Sequence, residues 1–368
     1  MKHAPDSENR YHRQMLLDGF GADGQCRLRE SHVLIVGCGA LGCVAADQLA
    51  RAGVGKLTVI DRDTVELTNL QRQMLYTEAD ASAGKPKAIA ARDRLAQVNS
   101  QIAIEAVVAD FNYRNAQQMT VGVDVLVDGL DNFETRFLLN DLAVSQAIPY
   151  IYGGAVGTTG MAMSILPRPA PDSEVGSPWA PTHVTPCLRC LFASAPPPGT
   201  SPTCDTVGVL AAIVSMVSSY QVAETLKVLL GRFDLVNRDM LWIDLWANET
   251  RSLQSGNAGP MEECPCCAQR QFEHLAGDES SLTTVLCGSN AIQIMPPPGD
   301  NAVPLDDICQ RLRGSATDVC VTPHLLTAEV RAGQRTYHLR LFKDGRAIIK
   351  GTSRIDEAKS LYARFVGA

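Results

Sequence analysis

The first strong pattern of apolar and polar positions falls at residues 31–61, "SHVLIVGCGALGCVAADQLARAGVGKLTVID". The unbroken apolar run VLIV reads as a buried strand, the stretch after the glycines as a helix, and KLTVID as a second strand. Together they predict one βαβ unit. Downstream, AGKPKAIAARDRLAQVN reads as a helix, IAIEAVVAD as a strand, and VDVLVDGLDN as a strand running into an acidic loop. Helices alternating with apolar strands predict an α/β fold. Its sheet is Rossmann-like, doubly wound and mostly parallel, with the site at the carboxyl ends of the strands.

Elsewhere the pattern changes. Residues 9–30 are helical in character, and IPYIYGGAVGTTGMAMSIL reads as a glycine-punctuated strand pair. Residues 167–206 are rich in proline, serine and threonine, and are long enough to cross over a site. The apolar stretch Val207 to Leu230 is broken by Ser215, Ser218, Ser219, Gln221, Glu224 and Lys227. It reads as a buried helix, since a membrane span needs about 20 mainly apolar residues. DMLWIDLW reads as a strand, and from Leu282 a smaller α/β unit begins, with a hairpin turned at Asp344-Gly345 and a closing helix RIDEAKSLYARFV. The expected divisions are a helical segment 1–30, a nucleotide-binding domain 31–253 containing the crossover 167–206, a cysteine-bearing linker 254–280, and a small α/β domain 281–368.

Composition narrows the function classes. The formal charge of -7 offers no broad basic surface for phosphate backbones, so nucleic acid is not the expected partner. MKHAPDSENRYHRQ lacks the apolar core of an export signal, which predicts a cytoplasmic protein. In that reducing setting the twelve cysteines read first as metal ligands, nucleophiles or core residues.

The chemistry gathers around the glycines. Gly37, Gly39 and Gly42 let backbone approach a phosphate or nucleoside, and Asp61 ends the next strand where a carboxylate accepts from ribose hydroxyls. A dehydrogenase would share this much. VIDRDTVELTNLQRQ and GKPKA then add Arg72 and Lys87 beyond the ribose acid, where ATP, unlike NAD, has phosphates to neutralise. Asp131, in VDGLDN, is the expected Mg²⁺ ligand, because Mg²⁺ is bound through one or two carboxylates plus substrate phosphates. The alternative is that Asp128 and Asp131 cap the helix NFETRFLLNDLA. His12, His32 and His183 read as structural or surface residues.

These motifs, with RYHRQ near the start and CLRC, CDTVGVL, QVAETLK and CPCC later, resemble those of the ThiF/MoeB family, bacterial relatives of ubiquitin-activating enzymes. The resemblance runs collinearly over roughly residues 9–268. It implies ATP-dependent adenylation of the carboxyl terminus of a ubiquitin-like sulfur carrier ending in Gly-Gly, with a cysteine desulfurase or other sulfur donor as a further partner. By position, Asp61 would hold the ribose, Arg72 and Lys87 the phosphates, Asp131 with its neighbour Asn132 the metal-nucleotide, and Asn69 and Gln73 the pocket wall. Arg13 matches an arginine that in the family reaches the neighbouring subunit's site, which implies a homodimer. GVL is followed here by Ala211-Ala212 where the family usually has Gly-Pro.

Cys187 and Cys190 in CLRC, with Cys264 and Cys267 in CPCC, form two CxxC pairs able to supply four thiolates to a structural Zn²⁺. Cys266 could replace either neighbour, and the spacing favours Cys264 with Cys267. Cys204 matches a cysteine that some family members use to bond the carrier or its sulfur; a small buried residue is the alternative. Cys26, Cys38, Cys43, Cys287, Cys309 and Cys320 read as packing residues. Two other functions stay open: a related enzyme adenylating a peptide or tRNA, and a silent subunit that only binds a ubiquitin-like partner.

Overall fold

Apolar runs that lack alternation bury both faces, and such runs form the centre of a sheet in which five strands pair in parallel. The computed structural model describes residues 5–169, 179, 181–192, 194, 204–253, 260–277, 283–286, 290–296 and 303–367. The chain forms two compact units, Met1–Asp278 and Glu279–Ala368.

The first unit is built on strands β1 (His32–Val36), β2 (Lys56–Asp61), β3 (Ala103–Val108), β4 (Val125–Asp128), β5 (Tyr150–Val156), β6 (Thr159–Ile165), β7 (Met240–Asp244) and β8 (Glu249–Leu253). They lie in the order β3-β2-β1-β4-β5-β6-β7-β8. β1 to β5 pair in parallel, and β6, β7 and β8 extend the sheet antiparallel. The expected α/β, doubly wound, mostly parallel architecture is therefore present, and strand order reverses between β1 and β4. At such a switch point the loops diverge and leave a crevice.

Every residue of β1 and β4 is buried. Burial of such aliphatic side chains contributes roughly 1.5–3 kcal/mol each, so the strands that carry the site are the most firmly held. His32, at the start of β1, places its ring nitrogens 3.0 Å from Gly122 O and 2.8 Å from Thr58 Oγ1, in keeping with a structural role.

Three elements differ from the sequence reading. The amino-terminal helical region is two helices, Pro5–Met15 and Gly21–Glu30, broken where Gly19 and Gly21 adopt positive φ. The helix expected from Val207 is Ala211–Leu229, preceded by the separate short turn Cys204–Val207, and it leaves Met216 exposed. β8 was not expected: all five of its residues are exposed, so it carries no apolar alternation. Among the described residues no helix is long and apolar enough to cross a membrane.

The second unit is a six-stranded antiparallel sheet of β9 (Thr283–Leu286), β10 (Ala291–Ile294), β11 (Ala316–Val321), β12 (Leu325–Ala332), β13 (Arg335–Phe342) and β14 (Ala347–Lys350). Its order is β11-β12-β13-β14-β10-β9. The helices Leu305–Leu312 and Ile355–Phe365 bury Ile308, Leu312, Leu361 and Phe365 in one cluster with Ile292, Leu339 and Ile349. The hairpin turns at Asp344-Gly345 as expected, with Gly345 at φ 82°.

Candidate nucleotide site and cysteine cluster

The glycine turn joins β1 to the helix Ala40–Ala52. Gly37 has φ 87°, and a Cβ on Gly42 would lie 2.0 Å from Gly37 O, so neither position accepts a side chain. The helix begins at Gly39 with no side-chain cap, which leaves its first backbone N–H groups turned toward the crevice for an anion. Tyr76 steadies the turn by donating its hydroxyl to Cys38 O at 2.6 Å.

Asp61 closes β2 beneath the turn. Its carboxylate accepts from Cys38 N at 2.6 Å and from Asp63 N at 2.7 Å. Burial pushes this carboxyl above its ordinary value, and Lys87 pulls against that shift. Lys87 opens the helix Lys87–Val98, is 7% exposed, and pairs with Asp63 Oδ2 at 3.2 Å. Burial alone would favour its neutral form, but the carboxylates of Asp63, Asp61 and Asp131 outweigh burial and hold the ammonium charged above its usual range.

Asp131 is exposed in the loop after β4, and its field reaches Lys87, Arg62 and Arg136. The structure thus gathers Asp61, Lys87 and Asp131 into one electrostatic group at the strand ends. Arg72 is half-buried just after the turn Leu67–Asn69, with Nη1 donating to Thr68 O at 2.9 Å. Gln73 is 4% exposed; its Oε1 is buried without a partner, and its Nε2 lies 4.0 Å from where a side chain on Gly39 would begin. A buried acceptor left open beside a glycine turn fits a ligand that brings its own donor.

Other expected residues sit differently. Asn69 spends its carboxamide oxygen on the local turn, accepting from Glu66 N at 3.0 Å. The helix Phe133–Gln146 is capped by Asn132, whose Oδ1 accepts from Thr135 N at 2.9 Å, and not by Asp128 or Asp131. Asp128 is instead fully buried and paired with Arg136 at 3.1 Å. Arg13 is exposed. Its neighbour Gln14 anchors to Ala52 O, at the opposite end of the helix from the glycine turn, about 18 Å away at 1.5 Å per residue.

The four cysteines of the CxxC pairs converge from segments more than seventy residues apart. Their Sγ atoms all lie within 4.8 Å of one another, with Cys187 to Cys264 at 3.6 Å, Cys187 to Cys190 at 3.8 Å and Cys190 to Cys267 at 3.4 Å. Tetrahedral Zn²⁺ with Zn–S near 2.3 Å requires S–S edges of about 3.8 Å, so the set fits that ion. Cys266 is not one of the four: it is buried beside Cys187 and Asp141 and accepts from Asn140 Nδ2 at 3.2 Å.

Among the cysteines read as packing residues, Cys38 and Cys43 are buried, whereas Cys26 and Cys320 are exposed, which corrects that reading for both. Cys287 lies outside the described residues. Cys204 opens the turn Cys204–Val207, but its side chain also lies outside them.

Sequence reasoning missed Asp63, Arg62, Tyr76 and the Asp128–Arg136 pair. Arg62 bonds Asp110 at 3.0 Å across the ends of β2 and β3. Asp63 had a weak signal, since an acid two residues past Asp61 shares its loop. Arg62–Asp110 and Tyr76–Cys38 join distant segments, and Asp128–Arg136 joins a strand end to a helix across a turn, none of which local spacing encodes.

Comparison with known proteins adds an independent line. The sequence profile of the ThiF family matches residues 11–266. The chain is 37% identical over 359 residues to a sulfur carrier protein ThiS adenylyltransferase of Bacillus subtilis, covering 97% of this chain and 99% of that one. It is 39% identical over 231 residues to a sulfur carrier protein adenylyltransferase of Thermus thermophilus, covering 63% of this chain and 81% of that one. Among solved structures it resembles E. coli MccB with ATP, at a TM-score of 0.54 and 25% identity, over 70% of this chain and 74% of that one. With a family profile matched over most of its length and a relative matched end to end, the chain belongs to the ThiF family.

Proposed function

We propose that this ThiF-family adenylyltransferase activates the carboxyl-terminal Gly-Gly carboxylate of a ubiquitin-like sulfur-carrier protein, using ATP and Mg²⁺ and releasing pyrophosphate. The observation that carries the reading is the grouping of Asp61, Lys87 and Asp131 at the strand ends beside an uncapped helix start. A ribose acid, a buried cation and a metal-type acid at one crevice suit a nucleoside triphosphate.

The carrier's carboxylate has an unperturbed pKa near 3.5, so it is already ionised and requires no general base. One of its oxygens forms a bond to the α-phosphorus, the bond from that phosphorus to the bridging oxygen breaks, and pyrophosphate leaves. Lys87 and Arg72 take up charge on the departing group, and Asp61 orients the ribose. When bound at Asp131, Mg²⁺ supplies further neutralisation of the phosphates. The absence of any histidine from this set follows from the lack of a proton to move.

The cysteine set Cys187, Cys190, Cys264 and Cys267 would hold a structural zinc, since four protein thiolates leave no position for water. Arg13, exposed and next to Gln14 at the end of the helix Ala40–Ala52 far from the glycine turn, would serve a partner subunit's site in a homodimer. In a cytoplasmic pathway sulfur from a cysteine desulfurase, with Cys204 as the candidate thiol, would then attack the activated carboxyl carbon, and AMP would leave. Residues 31–253 would carry the ATP chemistry, and residues 281–368 would offer a surface for docking the carrier or supporting the dimer.

The test is exchange of labelled pyrophosphate into ATP. Exchange should require a Gly-Gly carrier and vanish in Asp131→Ala; exchange that survives this substitution removes the metal role.

A further inference from the structure

The loop that carries Asp131 is held from beneath by a fully buried polar network. Leu130, the residue before the acid, is fixed on both backbone sides: its N–H donates to Asp128 Oδ1 at 2.8 Å, and its carbonyl accepts from Arg136 Nη2 at 2.7 Å. Arg136 also donates through Nε to Asp128 Oδ2 at 3.1 Å and through Nη2 to Gly153 O at 2.8 Å. Tyr150 adds its hydroxyl to the same Asp128 oxygen at 2.8 Å. From the helix Ala211–Leu229, Gln221 Nε2 bridges Asp128 O at 2.9 Å and Ile151 O at 3.1 Å, joining the end of β4 to the first residues of β5. A Cβ on Gly153 would lie 2.4 Å from that amide, so the glycine clears its path.

Asp128 and Tyr150 are fully buried, and Arg136 is 6% exposed. A buried ion pair is a poor source of stability, because desolvation consumes most of the Coulomb gain and an apolar replacement of the same volume is often as stable. What such a pair supplies is direction. The guanidinium is a rigid planar fork, and here it fastens one strand end, one loop carbonyl and the carbonyl of a neighbouring strand at once. Lysine offers a single point charge and could not hold three acceptors in that plane.

We propose that Asp128 and Arg136 are the positioning pair that sets Asp131 against the metal-nucleotide, with Gln221 locking β4 to β5 beneath it. The pair touches neither nucleotide nor carrier; it acts through the backbone of Leu130. This inference rests on Asp131 as the Mg²⁺ ligand. Groups that orient a metal-bound carboxylate alter metal affinity by about 10- to 100-fold when removed.

The test measures Mn²⁺ affinity by electron paramagnetic resonance on the full chain with a non-hydrolysable ATP analogue, beside the half-saturating Mg²⁺ for pyrophosphate exchange. The double variant Asp128→Leu with Arg136→Met replaces the pair by apolar groups of similar volume, and Arg136→Lys keeps the charge but not the fork. Each should weaken Mn²⁺ binding and raise half-saturating Mg²⁺ about tenfold or more, while metal-free affinity for the analogue stays within about twofold of the parent. If the double variant does not fold, the lysine variant decides. Mn²⁺ affinity within twofold of the parent in a folded variant overturns the proposal. A parent chain that binds the analogue but no Mn²⁺ overturns the assignment of Asp131 itself, and the positioning role with it.

Discussion

Replacing Lys87 with methionine keeps the length and apolar stem of a side chain that is 7% exposed and removes only its charge. In the free protein that charge faces Asp63 Oδ2 at 3.2 Å, but the Asp63 side chain is 40% exposed and screened by water. Loss of the pair should therefore cost under about 1 kcal/mol of stability. In the nucleotide complex the ammonium would face a phosphate oxygen instead. At about 4 Å and an effective dielectric of about 20, that contact is worth about 4 kcal/mol. Each 1.36 kcal/mol is tenfold, so kcat/KM for ATP in carrier-dependent exchange should fall about a thousandfold. The uncompensated carboxylates of Asp61, Asp63 and Asp131 push in the same direction. The assay pairs exchange kinetics with a thermal unfolding midpoint. A Lys87→Met protein that folds normally and exchanges within tenfold of the parent would refute the placement of Lys87 at the phosphates.

Three further outcomes are expected. Elemental analysis should find about one zinc per chain, lost in Cys190→Ser and Cys264→Ser but retained in Cys266→Ser, whose thiol already accepts from Asn140. Arg13→Ala and Asp131→Ala should each abolish exchange, and mixing the two proteins should restore part of it, because one site of a mixed dimer then has both residues; no recovery would place Arg13 outside the partner's site. His32 has its pKa lowered, chiefly by burial and also by Lys56, so the folded chain resists its protonation. Its contribution is present above about pH 6.5 and lost as pH falls through the lowered value. Denaturant midpoints should drop from pH 7.5 to pH 5, and His32→Gln should reduce that slope.

The parallel half of the sheet was legible because β1 and β4 are buried on both faces, which leaves an apolar run that no surface segment imitates. The glycine turn and Asp61 were legible because their chemistry demands particular residues at a fixed distance in the chain. β8 was not, because an exposed edge strand held by backbone pairing carries no apolar signature. The cap at Asn132 was not singled out, because asparagine and aspartate cap equally well, and only geometry separates neighbours in DGLDN. Asp128 with Arg136 was invisible for another reason. A buried charge looks like a surface charge in sequence, and its partner lies eight residues on, across a turn and a helix start. Spacing did separate Cys267 from Cys266, since a CxxC turn sets the distance between its two thiols. Cys26 and Cys320 mislead because cysteine is only usually buried.

In the proposed reaction a carrier's own carboxyl terminus displaces pyrophosphate from ATP in the crevice between β1 and β4. The decisive measurement is mass spectrometry of a Gly-Gly carrier incubated with the protein, ATP and Mg²⁺. The carrier should become heavier by one adenylyl group, and should not when its terminal glycine is removed or when Asp131→Ala replaces the parent. A carrier of unchanged mass while ATP is consumed, or adenylylation at any position other than the terminal carboxyl, would contradict it.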